Sequence, residues 1–171
     1  SRERGVKRLF AGLIALALVA CLGLWAREHL ISVVRIEGSS MEDALTSGDV
    51  ALVLKRGPLY REIAFGDVVE CDFPGREGSY VKRVIGLPGD DIRFSNGALT
   101  RSGRPVSEPY VSSETGDFEI SLGEDEVLLL GDNRAQSYDS RAEDMGCPSQ
   151  EEILGRVCWI LWPLSRFGPV R

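Results

Sequence analysis

Acyl-transfer chemistry needs a nucleophile, a base to activate it and donors for a developing oxyanion, and this chain offers them in unusual form. It has a single histidine, His29, so a base working near neutral pH has to come from another residue type. Lys82 is the candidate, in the stretch YVKRVIGLPGD from Tyr80 to Asp90. On a strand, Tyr80, Lys82 and Val84 share one face while Val81, Arg83 and Ile85 share the other. An ammonium turned inward among apolar groups is costly unless it is paired or gives up its proton. A lysine held neutral can act as a general base. The nucleophile candidate is Ser40, in the turn Gly38-Ser39-Ser40-Met41. There a glycine lets the backbone bend so that amide N–H groups face a bound carbonyl. A neutral partner is needed to hold the amine, and Ser137 can supply it. Arg83 needs an anion on the face opposite Lys82; Asp139 can provide that charge, and Arg141 can complete an ion-pair cluster. Each piece also has a plain structural reading: a solvent-exposed edge strand, a Gly-Ser turn, a surface lysine, a surface salt bridge. Their order and spacing together favour the chemical one.

Many short strands must position these residues. Val33 to Ile36 alternates apolar and charged residues and runs into the Ser40 turn. Ser47-Gly48-Asp49 turns into a strand at Val50 to Leu54, and a loop spans Arg56 to Tyr60 around Gly57-Pro58. Gly66-Asp67 leads into a strand from Val68 to Phe73, closed by Pro74-Gly75, and the lysine strand follows. Ile92 to Phe94 and Ala98 to Thr100, joined by Ser95-Asn96-Gly97, read as a hairpin. A polar loop then leads to Val127 to Leu130, a continuous apolar run suited to a buried strand. The polar stretch GDNRAQSYDSR, residues 131–141, comes next. Ser149-Gln150-Glu151-Glu152 fits a capping box for one helical turn. Arg156 to Trp162 is a last strand, apolar on both faces and stopped by Pro163. Short strands at turn-punctuated intervals, with little helix, predict a mainly β protein built as a barrel or a folded antiparallel sheet.

The front of the chain is different. Leu9 to Ala26, LFAGLIALALVACLGLWA, carries no charge, and as a helix it would span roughly 27 Å, close to a bilayer core. A buried soluble helix fits poorly, because the segment is apolar all round. A cleavable signal peptide fits less well than a retained anchor, because the run is long and no A-x-A site lies directly behind it. Residues 1–27 carry Arg2, Arg4, Lys7, Arg8 and Arg27 against Glu3, a net of +4. By the positive-inside rule the start stays in the cytoplasm and the body lies outside. A short juxtamembrane link, Glu28 to Ser32, follows. The division predicted is therefore 1–27 as cytoplasmic start and anchor and 28–171 as an extracytoplasmic β catalytic domain. Beyond residue 27 the chain has 15 cations against 25 anions, and so acidic a body argues against a nucleic-acid partner. Cys21 lies in the anchor, leaving Cys71, Cys147 and Cys158 outside it. The four follow no metal spacing and permit at most one disulfide in the body; small buried hydrophobes are the other reading. Trp159 and Trp162 in the last strand either touch the lipid surface or lie in a doubly buried strand.

Taken together, these residues resemble the bacterial type I signal peptidases, membrane-bound serine endopeptidases that remove signal peptides from exported proteins. GSSMEDAL (38–45) matches the nucleophile box of that family, GDVVECDFP (66–74) a structural box, YVKRVIGLPGD (80–90) the lysine box and GDNRAQSYDSR (131–141) the last box. The resemblance covers the anchor and most of residues 34–163. It implies Ser40 as nucleophile, Lys82 as general base, Ser137 positioning the Lys82 amine, and Arg83, Asp139 and Arg141 as a supporting ion-pair network, with no metal and no cofactor. It implies an oxyanion hole formed partly by the Ser40 N–H. Some members add a hydroxyl two residues earlier, where this chain has Gly38, so that donor is missing or comes from the backbone. It implies a substrate cleft lined by Ile36, Met41, Leu45, Tyr80 and Val81, beside Gly38. There an extended signal peptide pairs with strand edges and shallow pockets accept small side chains one and three residues before the cut. The implied partners are signal peptides and the lipid bilayer. Where the family usually continues Met-x-Pro-Thr-Leu, this chain has Met41-Glu42-Asp43-Ala44-Leu45. The change loosens the turn and removes a hydroxyl, which bears on efficiency and specificity rather than reaction type. Residues 91–130 leave no room for the large extra β domain of some Gram-negative members. A maturation peptidase with a narrow substrate set is the nearest alternative, and a silent membrane-tethered binding module is the alternative from another class. The self-cleaving SOS repressors also pair serine with lysine, but they need a DNA-binding front end and no anchor.

Overall fold

The computed structural model describes residues 2–58 and 60–171. It is mostly antiparallel β-sheet behind one N-terminal apolar helix. Helix α1 (Arg2–His29) runs 28 residues, and its apolar side chains, Leu9 to Trp25, face outward on all sides. It is long and apolar enough to cross a membrane. The separate link expected at Glu28 to Ser32 is not observed. The Leu30 N–H still donates to the Ala26 carbonyl, at 2.8 Å, and strand β1 (Ile31–Arg35) begins at once. Lys55 replaces a linker as the device that ends the helix: its ammonium donates to the Glu28 carbonyl at 2.9 Å, where the carbonyls of a helix end are otherwise unpaired.

The remaining strands are β2 (Val50–Lys55), β3 (Val68–Cys71), β4 (Tyr80–Gly86), β5 (Asp91–Ser95), β6 (Ala98–Arg101), β7 (Arg104–Val106), β8 (Phe118–Ser121), β9 (Leu128–Leu130), β10 (Ile153–Trp162) and β11 (Gly168–Pro169). The larger sheet has the order β1-β2-β10-β3-β4-β9, with β11 added to the outer half of β10. It is a folded sheet whose path ends at β1 and β9. The loop around Gly57-Pro58 is as expected, Leu59 lying outside the described residues. The expected hairpin is β5–β6, paired from Ser95↔Ala98 to Ile92↔Arg101. Its turn places Asn96 and Gly97 in left-handed conformations, which Asn-Gly tolerates and most pairs do not. With β7 and β8 it forms a second sheet, β7-β6-β5-β8. The long polar loop read from sequence is thus corrected, since it holds two further short strands. β7 is a three-residue edge that carries Pro105. β8 alternates Phe118 and Ile120 with exposed Glu119 and Ser121, a period too brief to stand out.

β10 is the spine, pairing with β2, β3 and β11. A doubly buried strand is not what forms. Ile153, Val157 and Ile160 point into the core, while Leu154, Trp159 and Trp162 are exposed. Ser149 does open a single short turn, Gln150–Glu152, its N–H donating to the Glu152 carboxylate at 2.6 Å. The core has three parts. One, under the end of β1, joins Ile36, Met41 and Leu45 to Val53, Val157 and Ile160. A second packs Val69, Phe73, Val84, Leu129 and Ile153. The third, of Ile85, Ile92, Phe94, Leu99, Leu128 and Leu130, sits where the two sheets meet. Each such side chain, once fully buried, stabilises the fold by roughly 1.5–3 kcal/mol.

Candidate active site

The interior position of β4 settles what its two cations do. From Arg83 onward the strand is not an exposed edge, with β3 on one side and β9 on the other, and Lys82 and Arg83 are each only 3% exposed. Alternation sends them to opposite faces, as the sequence implies. The Lys82 ammonium donates to Ser137 Oγ at 3.2 Å. Burial lowers the Lys82 pKa from its ordinary value, against an opposing pull from the Asp139 carboxylate.

Arg83 is paired differently from expectation. Its partner is Asp132, not Asp139, in a two-pronged contact with Nε to Oδ1 at 2.8 Å and Nη2 to Oδ2 at 2.6 Å. Register explains the correction. Leu130 lies opposite Arg83, so Asp132, two residues further on, continues on the Arg83 side, whereas Asp139 belongs to the loop that returns toward Lys82. Asp132 is fully buried, and burial raises its pKa despite the arginine. The Arg83 guanidinium also lies 4.0 Å from the centre of the Tyr110 ring. Asp139 instead receives Arg141, at 2.8 Å from Nε and 2.9 Å from Nη2, and the Gly131 N–H at 3.0 Å. Its burial would raise the carboxyl pKa, but the hydrogen bonds from Arg141, Ser137 and Gly131 outweigh that and hold it below the usual value. Arg141 further donates to the Arg134 and Ser137 carbonyls, so this pair ties together the loop that presents Ser137.

Ser40 and Lys82 line one cleft of about 430 Å³, with Val34, Ile36 and Met41 on one wall and Tyr80 and Val81 on the other. Gly38, at φ 83°, makes the turn that carries the chain from β1 to Ser40; few residues other than glycine adopt that geometry. Leu45 does not line the cleft: it is fully buried beneath it, packed with Ile36 and Met41. Asp43 takes φ 44°, a value the proline ring forbids and aspartate tolerates, so the chain departs from the usual box in its backbone path as well as its letters.

Three positioning residues were not singled out from sequence, although all lie in 131–141. Asn133 donates from its backbone to the Ser40 carbonyl at 3.0 Å and from its side chain to the Ser39 carbonyl at 3.2 Å. Gly131 is where this loop crosses the Ser40 turn, and a Cβ there would collide with Ser137 Oγ and the Ser40 carbonyl. Arg134, buried beneath the second sheet, donates to the Gly131 carbonyl at 3.0 Å and to the Glu108 carboxylate. All three lie in the Gly-Asp-Asn-Arg opening of the stretch.

The family model described as "Signal peptidase, peptidase S26" matches residues 7–162. A signal peptidase I of Bacillus caldolyticus is 34% identical, over 91% of this chain and 90% of the relative. A signal peptidase I of Bacillus licheniformis is 32% identical, over 92% and 90%. The solved structure of a signal peptidase I from Enterococcus faecalis V583 superposes with a TM-score of 0.53 at 26% identity, covering 57% of this chain and 97% of that one. With the match running from within the helix to the end of β10, the chain belongs to the signal peptidase family, peptidase S26, and is a peptidase by descent.

Proposed function

We propose that this protein is a membrane-anchored endopeptidase that cleaves signal peptides from exported preproteins by means of a Ser40–Lys82 dyad, after small residues in an Ala-x-Ala pattern. The observation that carries the reading is Lys82, a buried lysine with a lowered pKa, bonded to Ser137 and lining the same cleft as Ser40. A neutral amine has two N–H donors and one lone pair. One N–H is directed to Ser137, which leaves the lone pair for the Ser40 hydroxyl. As Lys82 takes that proton, Ser40 Oγ adds to the scissile carbonyl and the Ser40 N–H supports the oxyanion. The tetrahedral adduct collapses, the C–N bond breaks, and the Lys82 ammonium returns its proton to the departing amine. An acyl ester on Ser40 remains. Lys82, neutral again, takes a proton from water as the hydroxide adds to the ester, and that proton returns to Ser40 on release of the acid.

The substrate would bind as an added strand. Among the described residues β1 pairs only with β2, and Tyr80 to Lys82 pair only with β3, since β9 ends opposite Arg83. Two unpaired backbone edges therefore border the cleft. The apolar helix would hold residues 1–27 at the cytoplasmic face and across the cell membrane, with residues 28–171 as the outer catalytic unit. A narrower substrate set is the second reading, favoured by the altered turn at Asp43-Ala44. Incubating the full chain in phospholipid vesicles with several precursors, and weighing the products by mass spectrometry, tests both. The expected result is one cut, directly after the second alanine of the site. Cleavage of a single precursor class would favour the narrow reading, and binding without any cut would leave a silent module.

A further inference from the structure

The segment after β10 reaches back to the nucleophile turn through one side chain. Pro163 opens a short turn, Leu164–Arg166, and the Arg166 guanidinium then bridges three acceptors far away in sequence. Its Nε donates to Asp49 Oδ2 at 3.1 Å, and its Nη2 to the carbonyls of Ala44 and Asp43 at 3.1 and 3.4 Å. Those acceptors all follow Ser40, in the segment that leads from it to β2. Asp49 is 2% exposed. Its carboxylate accepts the Thr46 N–H at 2.9 Å, and its carbonyl accepts the Ile36 N–H at 2.8 Å. Ile36 belongs to the cleft wall. The carbonyls of Asp43 and Ala44 stand at the left-handed residue and just after it, where among the described residues no backbone N–H meets them. The segment is thus gripped at two ends, by Asn133 at the Ser39 and Ser40 carbonyls and by Arg166 at residues 43, 44 and 49.

We infer that Arg166 is a positioning residue for Ser40, holding the turn 41–49 so that the nucleophile and the Ile36 wall stay in register with Lys82. A planar fork with five donors suits three fixed acceptors, which an ammonium on a flexible stem cannot match at once. Arg166 lies outside the cleft lining, so its effect is on geometry and not on substrate contact. A small displacement of a reacting group lowers the rate of the chemical step far more than binding.

The inference rests on Ser40 being the nucleophile, and the test separates the two. Full-chain Arg166→Met, Arg166→Lys and Ser40→Ala are compared with the parent in phospholipid vesicles, by precursor cleavage and by amide hydrogen exchange. For Arg166→Met, kcat is expected to fall by about ten- to a hundredfold with KM nearly unchanged. The amides of Leu45, Gly48 and Asp49 should exchange about tenfold faster, while Val84 and Leu129 stay protected. Arg166→Lys should lie between that variant and the parent; if Arg166→Met does not fold, a lowered kcat in Arg166→Lys still supports the proposal. Parental kcat in either folded variant, or exchange unchanged at residues 45–49, overturns it. A Ser40→Ala protein that still cuts would overturn the dyad instead, and the exchange result alone would then decide the role of Arg166.

Discussion

A base has to be at least partly neutral, and for Lys82, the base proposed above, that requirement bears on the stability of the fold as well as on the rate. Its folded pKa is lowered by burial, so at neutral pH the unfolded chain binds the proton more tightly than the folded one. The resulting destabilisation is fully present below the folded pKa, shrinks as pH rises above it, and is gone beyond the unfolded value of roughly 10.4. Lys82→Met removes the titrating group at similar volume and gives up the hydrogen bond to Ser137, worth about 1 kcal/mol. The variant should therefore melt no lower than the parent at pH 7 and lower than it near pH 11, in paired melting curves. A strong deficit at pH 7 that does not change with pH would mark Lys82 as an ordinary charged lysine. Much at this scale was legible. The lone histidine and the alternation of YVKRV pick out Lys82, and four ordered boxes bring Ser40 and Ser137 to it. The partner of Arg83 was not legible, because choosing Asp132 over Asp139 requires the β4–β9 register, which neither strand carries in its own letters.

Strands with strong local chemistry were readable and weak ones were not. The β5–β6 hairpin follows from Asn96-Gly97, and β9 from its run of leucines. β7 and β8 escape because three or four residues with mixed polarity take their structure from cross-strand pairing. The length of β10 was readable in part, but its outward face was not, since apolar letters on both sides do not say which side the core covers. The crossing of the 131–141 loop over the Ser40 turn was also hidden, because it is a tertiary approach of two polar segments. Gly131→Ala tests that crossing. The added methyl must displace Ser137 or the Ser40 carbonyl, and a shift near 1 Å is expected to lower kcat by about a hundredfold. Cleavage by Gly131→Ala at the parental rate would mean the two segments are not held together in this way.

On the scale of the whole molecule, the apolar helix leads straight into the β body. The helix runs directly into β1, and across β1, β2, β10 and β11 the residues Val33, Leu52, Trp159 and Pro169 stand in register. Trp162, Leu164 and Phe167 lie nearby, at 56%, 72% and 58% exposure. Exposed tryptophans suit a membrane interface better than water. In a Trp25→Phe protein reconstituted in vesicles, quenchers carried on the lipid should dim the fluorescence of Trp159 and Trp162. Undiminished emission would place this face away from the bilayer. Proximity to the membrane would bring the cleft to its substrate, and cleavage there would depend on the dyad. The most direct test is single-turnover cleavage of an Ala-x-Ala precursor by the reconstituted full chain, measured from pH 6 to pH 10 for the parent, Ser40→Ala and Lys82→Arg. The parent rate is predicted to rise with the loss of one proton at a pH below the ordinary lysine range, with no cleavage by either variant at any pH. Cleavage by Ser40→Ala, or a Lys82→Arg protein with the parental profile, would contradict it.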